Sequence, residues 1–236
     1  MHIFQIRTQK IRGYFDINSS ACGRLERFER DLEILVEKLR SGLNRREERT
    51  LTRLKDRLLL LRKKNLVKIN HSVMELVLAK YLIKKGYQIE LEHPLDETLV
   101  CDLYGVKGLG TLVVEIETGF VPPEHALDPI GYIRVRVASK IIRYSNYANK
   151  FGLGTPPQFL LQIPTPFTKP PRYRSEKELR ELKEQCDSYY QHPPVTLKEI
   201  LNANLHSVYI IQVDDGRVVE MDPWTYIEKC SGALTE

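Results

Sequence analysis

Two hydrophobic periods alternate along the chain, and the changes between them mark its elements. From about Ser20, the residues Leu25, Phe28, Leu32, Leu35 and Leu39 step by three and four positions, the seam of a helix that packs along one stripe. Gly42 stops that helix, and Asn44 with Glu47 forms a capping box for the next, whose seam is Leu51, Leu54, Leu58 and Leu61. Two such helices with a short connection predict an antiparallel αα-hairpin. Ahead of them, residues 2–8 read as a short strand.

The pattern restarts near Asn70. Met74, Val77, Leu78, Tyr81 and Leu82 form an apolar helical stripe, closed by Lys84, Lys85 and Gly86. The period then becomes two. A strand is predicted around Gln88–Glu92, a turn at Pro94, and two strands within Val100–Gly119 joined by a turn bearing Gly105, Gly108 and Gly110. A proline-bearing loop over 120–129 precedes a helix from Ile130 to Asn149. The apolar run Gln158–Ile163 predicts a buried strand. Ser175 and Glu178 open a charged helix to Tyr190, and a short helix covers Leu197–Leu201. Strands Ser207–Val213 and Arg217–Met221 flank Asp214-Asp215-Gly216, a hairpin signal.

Composition adds little to this outline. The 236 residues are 42% hydrophobic and 28% charged, as in an ordinary globular protein. The four cysteines show no metal-ligand spacing, so a reducing, cytoplasmic interior is expected. MHIFQIRTQK lacks a signal-peptide core, and no apolar run reaches the length of a membrane span. Charge is more informative. Ten Lys and Arg stand against three acids between Asn44 and Lys68, within a chain whose net charge is +5. This block, with Arg45, Arg49 and Arg53, fits either a polyanionic partner or a solvated helix face.

The candidate chemistry lies in VCDLYGVKGLGTLVVEIETG. Asp102 falls on the first strand; Glu115 and Glu117, two apart, project from one face of the second. Carboxylates brought together this way repel unless a cation or proton joins them, and hard divalent ions take oxygen ligands of this kind. Glu75 has two readings. It is an acid for the same site, or the far end of a capping box with Ser72. Arg136, Lys140 and Arg143 line one side of the predicted helix after the acidic strands. That stripe reads as a solvated face or as a clamp for phosphates.

Helix, three strands, helix and strand, with Glu75 in HSVMELVLAKYLIKKGY, Asp102 in CDLYG, and Glu115 and Glu117 in VVEIETG, resemble the PD-(D/E)XK nuclease superfamily. The likeness covers about 95 of 236 residues. It implies an α/β fold: a restriction endonuclease-like mixed sheet flanked by helices, here with the N-terminal helical hairpin added. The division it implies is residues 1–69 as hairpin arm, 70–165 as nuclease core, and 166–236 as an α+β extension. It also implies a Mg²⁺- or Mn²⁺-dependent DNA endonuclease, working as a homodimer, with the metal held by Asp102, Glu115, the carbonyl of Ile116, and Glu75. Arg136, Lys140 and Arg143 would face the phosphate backbone. The chain departs from the family in two places. Cys101 stands where proline is usual, and Glu117 replaces the lysine that serves the attacking water. Glu117 then acts as general base or second-metal ligand, or Lys140 supplies the charge from the neighbouring helix. The alternative is a catalytically degenerate nuclease fold that binds nucleic acid or serves assembly.

Overall fold

A computed structural model describes residues 23, 25–64, 66–67, 69–190 and 194–233. The strand expected over residues 2–8 lies outside the described residues. The chain divides into two compact units at Val73/Met74.

In the first unit, α1 (residues 25–39) and α2 (Arg45–Lys63) are joined by a short turn in which Gly42 adopts φ 78°. That left-handed conformation is the one glycine tolerates at a helix end. Asn44 accepts hydrogen bonds from the backbone of Arg46 and Glu47, while Glu47 reaches back to the Asn44 N–H, completing the expected capping box. Phe28, Leu32, Leu35 and Leu39 of the first seam and Leu51, Leu54 and Leu58 of the second are buried.

The second unit is an α/β structure around one six-stranded mixed sheet. It takes in most of α3 (Ile69–Lys84), then β1 (Gln88–Pro94), β2 (Val100–Lys107), β3 (Gly110–Ile116), α4 (Pro129–Tyr144) and β4 (Lys150–Thr155). The chain continues through α5 (Glu176–Tyr189), α6 (Leu197–Asn202), β5 (Ser207–Gln212), β6 (Arg217–Met221) and α7 (Pro223–Ala233). Strand order follows the chain, β1 to β6; β3–β4 and β4–β5 pair in parallel, and the other neighbours pair antiparallel. α4 is therefore the crossover that parallel β3 and β4 require. Val113, Phe151, Leu153 and Val208 form one core with the buried stripe of α4 and with α5 and α6. Tyr209, one residue on from Val208, projects from the other sheet face, where its ring meets Tyr81 of α3.

Two expectations are corrected. The fourth strand is Lys150–Thr155, not Gln158–Ile163, and the preceding helix ends at Tyr144 instead of Asn149. Gly152 and Gly154 disguise the strand. A Cβ on Gly152 would stand 2.6 Å from the Tyr209 ring, and one on Gly154 would stand 2.9 Å from Ile211, so large side chains of β5 fill the space above them. Residues 158–163 are apolar because Leu161 and Ile163 enter the core from a loop, and the Leu161 N–H is satisfied by the Tyr226 hydroxyl at 2.9 Å. The C-terminal strands β5 and β6 complete this same sheet.

A buried arginine closes the fold. Arg174 Nη1 lies within 3.0 Å of the carbonyls of Ile200, Leu201 and Ala203 at the end of α6, while Nε donates to the Pro166 carbonyl at 2.7 Å. Burial, with no carboxylate to offset it, lowers its pKa to about 10. Arg174→Leu leaves these carbonyls without their donor and is expected to cost about 3 kcal/mol in urea unfolding. Lysine, a point donor without the planar fork, should recover only part of that loss.

Candidate metal centre

The site sits where β2 and β3 stop pairing. β1–β2 pairing runs through Leu91↔Leu103 and His93↔Cys101, which sets Glu92 opposite Asp102. The β2–β3 ladder is intact from Leu103↔Val114 outward. One step inward, side chains replace it: the Asp102 N–H donates to Glu115 Oε1 at 3.1 Å, and the Ile116 N–H donates to Asp102 Oδ2. The sheet thus opens at its acidic residues, with their carboxylates in the gap.

Glu75 enters this gap from α3. That helix starts at Ile69, so Ser72 lies within it and Glu75 is not in the position of a cap. The Glu75 side chain is fully buried, and neither of its oxygens has a hydrogen-bond partner among the described residues. Burial raises its pKa well above the ordinary value, and the charges of Asp102, Glu92 and Glu115 raise it further. Glu92 has φ 48°, the one non-glycine positive φ among the described residues. That conformation costs on the order of 1–3 kcal/mol, and strain of this kind collects at functional sites.

Glu75, Glu92 and Asp102 each offer an oxygen, and these atoms lie within 4.8 Å of one another. Oxygens on opposite sides of an octahedral Mg²⁺ stand roughly 4.2 Å apart, and around Ca²⁺ roughly 4.8 Å. The donor set is all carboxylate, and the orphaned oxygens of Glu75 lack any other partner among the described residues. These residues fit a hard divalent cation.

The α4 side of the gap carries the cations. Glu115 and Glu117 share the face of Val113, and Arg136 and Lys140 are four apart on the opposing helix. Lys140 Nζ lies 3.3 Å from Glu115 Oε2 and 3.6 Å from Glu117 Oε2, and donates to the Ile116 carbonyl at 2.6 Å. Burial opposes its charge, but Glu115, Asp102 and Glu117 outweigh that and hold its pKa above the ordinary lysine value. The pKa of Glu115 is raised as well, to about 8, because burial and Asp102 outweigh Lys140. One ammonium therefore stays charged among acids that it does not fully neutralise.

Glu117 is buried and engaged. Its Oε1 accepts the Gly119 N–H at 3.0 Å, and Oε2 lies 2.9 Å from Arg136 Nε as an ion pair without hydrogen-bond alignment. Arg136 also donates to the Phe120 carbonyl at 2.9 Å, and Arg143 lies 5.9 Å over the Tyr190 ring. Of the residues named from sequence, Glu75, Asp102, Glu115, Ile116, Glu117, Arg136 and Lys140 thus gather around one gap, while Arg45, Arg49 and Arg53 are exposed on α2 of the other unit. Glu92 was missed. Its signal was the hairpin register, since an acid directly across from Asp102 follows from the β1–β2 pairing.

No protein-family model matches the chain, and no curated protein does either. Among solved structures, a chain of the CdiA-CT/CdiI toxin and immunity complex from Burkholderia pseudomallei is similar at 16% identity and TM-score 0.27, over 65% of this chain and 86% of that one. The structure of Pyrococcus furiosus SfsA in complex with Ca²⁺ is similar at 12% identity and TM-score 0.27, over 65% of this chain and 60% of that one. Neither likeness is close enough to assign a fold family or an activity. No helix among the described residues is long and apolar enough to cross a membrane.

The acids make metal-free stability pH-dependent. A carboxyl whose pKa rises on folding keeps its proton in the folded state after the unfolded chain has released it. Its stabilisation is complete below the unfolded value and is lost as pH rises through the folded one. Thermal melts in EDTA should therefore show a falling midpoint as pH rises from the ordinary glutamate value of 4.5 toward about 8. Mn²⁺ should raise the midpoint most at the upper end. Glu75→Gln removes the most enclosed acid; it should stabilise the metal-free protein by about 1 kcal/mol and diminish the gain from Mn²⁺.

Proposed function

We propose that this protein is a metal-dependent nuclease that hydrolyses phosphodiester bonds in DNA. The observation that carries this reading is the convergence of Glu75, Glu92, Asp102 and Glu115 from four elements on one opened sheet end, beside a largely buried lysine. Such a cluster is unfavourable for folding unless something binds there, and a divalent cation with a phosphate is the chemistry that suits it. The resemblance of the ordered elements to the PD-(D/E)XK superfamily supports the same reading.

Glu75, Glu92 and Asp102 would hold Mg²⁺ or Mn²⁺, with Glu115 at their side. When bound, the ion polarises the scissile phosphate and lowers the pKa of a water. Lys140 takes the place of the superfamily's lysine from a different element. Its ammonium, fixed by Glu115 and the Ile116 carbonyl, orients the attacking water and offsets charge on the phosphate. That carbonyl is already an acceptor for Lys140, so it is left out of the metal ligands here. Glu117 positions Arg136 and the turn at Gly119, a role that leaves no need for it as a base. A homodimer, with DNA held along the basic face of α2, completes the proposal.

The second reading, a degenerate nuclease fold that binds nucleic acid without cutting it, draws support from the enclosure of Lys140 by two glutamates. A cleavage assay on linear, supercoiled and four-way-junction DNA separates the two. With Mg²⁺ or Mn²⁺ the wild type should cut, and EDTA should stop it. Asp102→Ala and Lys140→Ala should each lower the rate by about 100-fold or more with DNA binding retained. Binding without cutting under every condition would favour the second reading. Cutting that survives Asp102→Ala would refute the site.

A further inference from the structure

A second cleft, with basic side chains around a largely apolar lining, lies away from the acids, between the C-terminal half of α3 and the β5–β6 hairpin. It measures about 480 Å³ and is lined by Lys80, Tyr81, Lys84 and Lys85 on the helix and by Gln212, Arg217, Val218 and Val219 on the hairpin. Lys80 and Lys84 follow Glu75 by five and nine residues, about 140° and 180° around the helix, so they leave α3 on the side opposite the acidic site.

Lys80, Lys84, Lys85 and Arg217 line this cleft. Lys85 is bonded to Glu220, which also accepts the Tyr81 hydroxyl at 2.9 Å, and Arg217 pairs with Asp215 at 3.2 Å. Lys80 has no carboxylate partner among the described residues. Its charge is spaced four residues from that of Lys84, an arrangement that destabilises an isolated helix. Burial and the charge of Lys84 lower the pKa of Lys80. The hairpin wall adds an independent feature. Gln212 Oε1 is buried and has no hydrogen-bond partner among the described residues, and an orphaned acceptor costs about 1–3 kcal/mol. Beside it, Tyr81, Val218 and Val219 offer an apolar wall.

We propose that this cleft binds a small phosphorylated molecule, its phosphate held by Lys80, Lys84 and Arg217 and its body placing an N–H or O–H donor on Gln212. A bare polyanion strand would use the lysines alone. The apolar wall, the orphaned amide oxygen and a volume in the usual range for small-molecule sites favour a ligand with a body that enters the cleft. A nucleoside monophosphate has all three parts: dianion, flat apolar body and donor.

The test is calorimetric titration of the full chain in EDTA, which keeps the acidic site unloaded, with AMP, inorganic phosphate, adenosine and a single-stranded oligonucleotide. The proposal predicts saturable binding of AMP, competition by phosphate, and much weaker binding of adenosine. The double substitution Lys80→Gln, Lys84→Gln should weaken AMP and phosphate by about tenfold or more, with a thermal midpoint no lower than the wild type's as the folding control. Gln212→Leu should weaken AMP several-fold and leave phosphate unaffected. Absence of saturable AMP binding by the wild type would overturn the proposal. So would AMP binding that the double substitution leaves intact, or oligonucleotide binding tighter than AMP and lost with the same two lysines. AMP no tighter than phosphate would contradict the role of Gln212. None of these outcomes depends on cleavage, so this site and the nuclease reading stand or fall separately.

Discussion

Charge crowding at the open end of the sheet is the constraint to which the surrounding structure answers. Glu75 and Glu115 are buried beside the half-buried Glu92 and Asp102, with Lys140 as the ammonium among them. Bringing carboxylates together in a medium of low dielectric costs folding free energy, and hydrophobic burial elsewhere must offset it. The unit supplies that burial on both sheet faces. α4, α5 and α6 pack over Val113, Phe151, Leu153 and Val208, and the apolar stripe of α3 covers the other side. Acids crowded in this way inside a well-packed domain could hold a metal ion, which would offset their repulsion.

The same elements that supply the core set the geometry of the gap. β2 and β3 pair regularly as far as Leu103 and Val114, and then Asp102 and Glu115 each accept a backbone N–H that the ladder would otherwise use. The carboxylates are thereby fixed by main chain and do not depend on rotamer preference. α4 must return the chain from β3 to parallel β4, which carries Arg136 and Lys140 across the face that bears Glu115 and Glu117. A positively charged residue can therefore come from a crossover helix as readily as from the strand.

Most elements of the second unit were legible in sequence because they carry an unmixed period or a turn with definite chemistry. The stripe of α3, the alternation of β2 and β3, and Asp214-Asp215-Gly216 with Gly216 at φ 61° are of this kind. The fourth strand was not legible, because Lys150–Thr155 packs through two glycines whose missing side chains are replaced by Tyr209 and Ile211 from β5. A sequence shows the hydrophobicity of a residue and conceals that of its neighbour across the sheet. Asp102, Glu115 and Lys140 could be picked out in sequence by strand alternation and helical spacing. Glu92 required the register of a hairpin whose turn, around residues 95–99, has no short two-residue form to fix it. Glu75 looked equally like a helix cap until the start of α3 at Ile69 placed it inside the helix.

The most direct test of the central claim is an anomalous difference map from crystals of the protein equilibrated with Mn²⁺. The account predicts a single strong peak bounded by the carboxylates of Glu75, Glu92 and Asp102, with Lys140 still on Glu115. A map with no peak there at saturating Mn²⁺, or with the ion held elsewhere in the chain, would contradict it.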